Sequence, residues 1–332
     1  MIFKNTKKVS MIRENLLKEY CKISRNFYYK NPSNLEKIIN GGNEMKDSKK
    51  IGKYKIIGFA DKHFKRMKNM FFFKRKIQKY KIVDKVQIFN LSNIDSNFLK
   101  QNKELFNDKR IFPWISKAYL VNKVLDESDY GDTILWIDSD IRDIREDGIN
   151  NLFNLSNNSE KGLVGFHSDF WIERSFTKID LFEYLNLKDE IFYETTQAYG
   201  NIFLFKKNEF CINFFKRFLE LCSINKLMDY SPSVNEESDN FIIHQNDQSI
   251  LSLLFKINNI KTFPIPFYNL FKTNIIAHHS GYFKKDINLP IVWEPCWHDV
   301  TYKEMWASCN NKYKKKISPE DCLAISTEYF DL

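Results

Sequence analysis

The segment that most constrains the fold is Asp132-Thr-Ile-Leu-Trp-Ile-Asp138-Ser-Asp140. An uninterrupted apolar run over residues 133–138, ending in carboxylates, reads as a strand buried on both faces. Similar runs recur at residues 54–60, 86–91, 162–166 and 199–205, with shorter ones near 260–263 and 274–277. Helical stretches separate them: a basic one from about 63 to 81, then 93–107, 113–128, 208 to about 225, and 247–257. The stretch over 113–128 sets Trp114, Ala118, Val121, Val124 and Leu125 on one apolar face. Strands alternating with helices imply an α/β chain built on a mostly parallel sheet with helices on both faces. Ligands of such sheets bind at the carboxyl ends of the strands, where Asp138 and Asp140 fall.

The front of the chain reads differently. Ile12, Leu16, Tyr20, Ile23 and Phe27 recur at three- and four-residue steps, an amphipathic helix that Asn31-Pro32 stops before the Asn40-Gly-Gly-Asn43 loop. Residues 1–50 are therefore a helical appendage and residues 51–332 one domain, with no internal repeat or long linker. The net charge of +9 is concentrated at this end, since residues 1–85 hold 24 Lys and Arg against 7 Asp and Glu. Such a surplus faces anions: nucleotide phosphates, anionic lipid or nucleic acid. The appendage packs on the domain or on a partner subunit, with attachment to an anionic membrane surface the sharper alternative.

Composition excludes several classes. With 43% apolar and 16% aromatic residues the chain is not disordered. It has no uninterrupted apolar run long enough to span a bilayer, and its first 20 residues lack the apolar core of a secretory signal. Cys21, Cys211, Cys222, Cys296, Cys309 and Cys322 form no CxxC pair, so reduced thiols and a cytoplasmic location are expected. The 10 glycines form neither a phosphate-binding loop nor a dinucleotide fingerprint.

Asp138 and Asp140 stand two apart where the strand ends, so on an extended chain their side chains project to the same side. Two hard oxygen donors so placed can hold a divalent cation, and the cation a diphosphate. Dehalogenase-type phosphatases also carry Asp-x-Asp after a strand, but Arg142 stands where they have Thr or Val. Four further segments, in order, bear on the same chemistry. Phe59-Ala60-Asp61-Lys62-His63-Phe64 resembles the A-x-D-x-N-Y segment of family 8 glycosyltransferases. Tyr199-Gly-Asn-Ile-Phe-Leu-Phe205 is similar to their F-N-S-G-V-x-L-I strand, and Asn246-Asp247-Gln248-Ser-Ile-Leu251 to their D-Q-D-x-L-N. His278-His279-Ser-Gly281-Tyr-Phe-Lys284 fits their H-x-x-G-x-x-K. The strand and its DxD also resemble the glycosyltransferase-like proteins of bacterial surface-polysaccharide loci, whose W-x-W-K-P-Y segment is degraded here to Pro113-Trp-Ile-Ser-Lys-Ala-Tyr119.

The resemblance implies a GT-A fold and a nucleotide-diphosphate sugar donor, a UDP-sugar in the main, from which a hexosyl group passes to a glycan acceptor with retention of configuration. Ala60 and Asp61 would lie against the base, with His63 in place of the family's Asn. Asp138, Asp140 and His278 would ligate Mn²⁺ or Mg²⁺, and Lys284 would contact the β-phosphate. Asp247 and Gln248 would sit beside the donor sugar as catalytic residues, and Trp171, in the loop after the 162–166 strand, beside the acceptor. The family's donor-binding Arg is replaced by Val121, and Lys117, one helical turn earlier on the same face, would stand in for it. Structural roles are open to the same residues: a turn bond for Asp138, a helix N-cap for Asp247, packing for His278 and solvation for Lys284. Two other classes compete. One is a non-catalytic membrane-surface or nucleic-acid binding protein, although the basic residues match no nucleic-acid motif. The other is a sugar-phosphate nucleotidyltransferase, whose glycine-rich loop is missing after residue 60.

Overall fold

The computed structural model describes residues 50–60, 64–108, 111–139, 141–144, 146–238, 241, 243–260, 262–264 and 276–278. The expected appendage therefore lies outside the described residues, apart from its last one. In chain order the first half contains β1 (Tyr54–Phe59), α1 (Phe64–Ile77), β2 (Lys85–Phe89), α2 (Ser96–Gln101), α3 (Lys103–Asn107), α4 (Phe112–Asp126), β3 (Thr133–Ile137), β4 (Ile141–Ile144) and α5 (Glu146–Asn157). The second half follows with β5 (Leu163–Ile172), α6 (Glu173–Phe176), α7 (Ile179–Tyr184), α8 (Ile191–Glu194), β6 (Thr196–Lys206), α9 (Glu209–Cys222), α10 (Asn225–Met228), α11 (Asp247–Ile257), β7 (Thr262–Pro264) and β8 (Ile276–His278).

Six strands form one mixed sheet in the order β2-β1-β3-β6-β5-β7. β1 runs parallel to β2 and β3, β6 antiparallel to β3 and β5, and β7 parallel to β5. Five strands thus share a direction and β6 alone opposes them, so the chain is α/β with helices on both faces. Alternation divides each central strand between two apolar layers. Ile57, Ile134, Trp136, Phe203 and Phe205 pack under α4, α9 and α11, while Ile56, Leu135, Ile137, Ile202 and Leu204 pack with Met70 and Phe73 of α1 and Phe153 of α5. Burial on both sides explains why these strands read as continuous apolar runs rather than alternating ones.

The structure departs from the sequence reading in several places, the short helices α6, α7, α8 and α10 among them. The helix expected over 93–107 starts only after Asp95, which caps Asn97 and Phe98, and is broken into α2 and α3 at Asn102, whose backbone (φ −109°, ψ 30°) leaves the helical region. Residues 168–172, taken for a loop, continue β5, with register shifts against β6 at Gly165/His167 and again before Ile172. Trp171 therefore stands in a strand. The Asn-rich α5 and the short, polar β4 were not expected at all. Among the described residues no helix is long and apolar enough to cross a membrane.

Candidate functional site

The period of two that puts Ile134 and Trp136 under α4 carries the next residue of that series, Asp138, toward the same layer. Two helices covering that layer each bring one charge to meet it. Lys117 lies among otherwise apolar or neutral buried residues of α4, and Asp247 opens α11. The Lys117 Nζ is 2.8 Å from Asp247 Oδ2, 3.2 Å from Asp138 Oδ1 and 3.3 Å from Asp138 Oδ2. It also donates to the Gly200 carbonyl of β6 at 2.7 Å and lies over the rings of Trp114 and Trp136 at 5.7 and 5.8 Å. The Trp136 indole donates to Asp138 Oδ1 at 2.7 Å, which aims the carboxylate. The Lys117 and Asp247 side chains are 3% and 5% exposed, whereas that of Asp138 is 23% exposed. Asp138 is thus the member of the cluster that meets solvent.

Burial alone would depress the Lys117 ammonium, but the Asp138 and Asp247 carboxylates outweigh it and leave its pKa above the ordinary 10.5. The Asp247 carboxyl is raised above 3.8 because burial outweighs the pull of Lys117. Lys117 thus bridges two carboxylates at the carboxyl end of the sheet, and the one on Asp138 is partly open to solvent.

A buried polar thread runs inward from this cluster. The Gly200 amide donates to Gln248 Oε1 at 3.1 Å, and Gln248 Nε2 donates to Gln197 Oε1 at 2.8 Å. Gln197 Nε2 donates to Glu173 Oε2 at 3.1 Å, and Lys256 Nζ pairs with Glu173 Oε1 at 2.9 Å. A Cβ on Gly200 would come 3.2 Å from the Gln248 Cβ, so a glycine there lets α11 lie against β6. Both ends of the Gln248 amide are engaged within this thread. Asp247 does not cap its helix; Asn246 holds the N-cap position without a side-chain capping bond. Asn246 has φ of 50°, in the left-handed region, and its side chain is tied to Tyr230 and the Met228 carbonyl. That costly backbone turn delivers Asp247 to Lys117.

The other candidates are placed as follows. Ala60 is buried, its amide donating to the Phe89 carbonyl at 2.9 Å. The backbone of His278 pairs opposite Ile141 in the antiparallel β4–β8 ladder, one residue beyond Asp140. Asp61, His63, Asp140 and Lys284 lie outside the described residues, as do the side chains of Trp171 and His278. Among the described residues no three His, Cys, Asp or Glu side chains gather as a metal-binding group, and the proposed trio includes two that are not described. Trp136, Gln197, Glu173 and the Gly200 backbone were missed. The indole two residues before Asp138 on the same strand was the readable signal; Gln197, Glu173 and Lys256 are polar residues in apolar surroundings with no local pattern. Comparison with models of known protein families and with curated proteins finds no match.

Proposed function

We propose that the chain is a GT-A glycosyltransferase that moves a sugar from a nucleotide-diphosphate donor, a UDP-sugar in the main, to a glycan of the surface-polysaccharide kind. The observation that supports this reading is the meeting of segments that lie far apart in the sequence and that the family resemblance singled out. Lys117, Asp138, Asp247 and Gln248 share one buried junction, and the His278 backbone returns beside the residue after Asp140. The mixed sheet, with five strands in one direction and Asp138 at a carboxyl end, supports the GT-A assignment.

Hard oxygen donors suit Mn²⁺ or Mg²⁺, and Asp138 presents a carboxylate partly open to solvent at the carboxyl end of the sheet; Asp138, Asp140 and His278 would hold the ion. When bound, the ion supplies neutralisation of the charge gathering on the departing diphosphate. In this reading Lys117 and the Trp136 indole hold the Asp138 carboxylate in its orientation. Asp247 fixes Lys117 from behind, and Gln248 keeps the Gly200 backbone in place. The last two therefore act through other groups, as positioning residues. The test is a panel of nucleotide sugars with Mn²⁺, following donor hydrolysis by the wild type and by Asp138→Ala. Turnover that disappears in chelator and in the variant supports the proposal; equal turnover by both proteins, or full turnover in chelator, overturns it.

A further inference from the structure

We infer that the outward face of α1 is a docking surface for an anionic membrane. α1 buries Met70, Phe73 and Ile77 against the sheet layer that also holds Ile141 and Ile144 of β4. On a helix these three positions share one side, so the opposite side must face outward. That side carries Met67, Phe71 and Phe72, which are 50%, 60% and 55% exposed. The two phenyl rings meet edge to face with centroids 5.6 Å apart, forming one apolar knob rather than scattered residues. Lys68 and Arg75 lie among them and are exposed, and exposed Lys79 follows just past the helix end. The helix contains no Asp or Glu.

An apolar knob set in a cationic ring matches a lipid surface of opposite charge. The cations meet anionic headgroups while the phenyl rings and the thioether enter the boundary beneath them. A nucleic acid would use the cations and could stack on the rings, but the edge-to-face pair offers no stacked platform, and Met67 adds nothing to base stacking. α1 covers the face of the sheet opposite the one under α4 and α11, so this surface lies across the sheet from the Lys117 junction. The inference itself stands apart from the transferase reading, because lipid binding needs no sugar donor.

The experiment is co-sedimentation of the full chain with vesicles of phosphatidylcholine alone or with about one-third phosphatidylglycerol. Wild type is expected to bind the anionic vesicles only, and less as salt rises. Phe71→Ser/Phe72→Ser and, separately, Lys68→Glu/Arg75→Glu should each weaken binding about tenfold or more, with an unchanged thermal midpoint, since these side chains are exposed. Unchanged binding by the Phe pair variant overturns the inference, as does equal binding to neutral vesicles. So does a Phe-dependent dimer with vesicle binding intact, which would make a second copy the occupant, or Phe-dependent retention of single-stranded DNA without vesicle binding. Donor hydrolysis measured without lipid reports separately on the transferase reading, so either can fail while the other stands.

Discussion

β3 has an aspartate–lysine pair at each end, and the two are built differently. Before the strand, Asp132 is 2.6 Å from Lys55 Nζ, and its two oxygens accept from the Lys53 amide at 2.8 Å and the Asp129 amide at 3.1 Å. Lys55 in turn donates to Ser128 Oγ at 2.9 Å. Burial would raise the Asp132 carboxyl, but Lys55 and those amides outweigh it and hold it below 3.8. One cation meets one carboxylate there, and every partner is internal. After the strand, Lys117 is shared by two carboxylates and one of the two reaches solvent. A pair closed on all sides holds the chain together; a carboxylate that reaches solvent is placed where an outside group could meet it.

The contrast can be broken by mutation. The largest effect is expected for Asp138→Ala, which should lower donor hydrolysis about 100-fold or more, the scale of removing one electrostatic stabiliser of a transition state. It should cost little stability, since Lys117 keeps Asp247; a denaturant melt beside the rate measurement tells the two apart. An unfolded Asp138→Ala would make both ends of β3 structural. Asp132→Ala should do the reverse, losing about 3–5 kcal/mol of stability because Lys55 is left buried without its carboxylate. Its folded fraction, measured below the melting transition, should hydrolyse donor at the wild-type rate.

Smaller effects sharpen the same comparison. Asp247→Asn removes a buried charge but leaves Lys117 paired with Asp138, so its midpoint in urea should stay within about 1 kcal/mol of wild type. The smallest difference is in pH dependence. The Asp247 carboxyl binds its proton more tightly folded than unfolded, so wild type should gain stability relative to Asp247→Asn as pH falls through the raised value toward 3.8. Asp132 acts in the opposite sense: its contribution is complete above 3.8 and is lost as pH falls through its lowered value. Urea midpoints of the two proteins between neutral and acid pH isolate the Asp247 contribution, because all other titrating groups are common to both. Curves that stay parallel throughout would show that Asp247 is not carrying the charge assigned to it.

What the sequence made legible follows from where its signals are local. β1, β3, α4 and α11 were readable because each carries an apolar period or run of its own, and the charges interrupting those patterns, Lys117, Asp138 and Asp247, became the junction. β4 was not readable because Ile141-Arg-Asp-Ile144 is a strand only by virtue of its partner β8. The extension of β5 through Trp171 is likewise secured by pairing with Thr196 and Ala198 and not by its own composition. In α5 the apolar spacing of Ile149, Leu152 and Phe153 was present, but Asn-rich surroundings argue for a turn. The thread from Lys256 to Gly200 joins three separate elements, and no one-dimensional period marks such a path.

The β4–β8 ladder also has a consequence for the order of events during synthesis. The residues that follow the DxD leave the ribosome long before the strand that pairs with them, because Ile141 waits for His278. By then β1, β2, β3, β6 and β5 can already have assembled into the body of the sheet, since their pairings close earlier in the chain. At ordinary elongation rates of about 5–20 residues per second, the interval is several seconds. During that time a nascent chain carries a nearly complete scaffold with the residues just after Asp138 still unpaired. The β4 edge is thereby closed only once translation has passed residue 278.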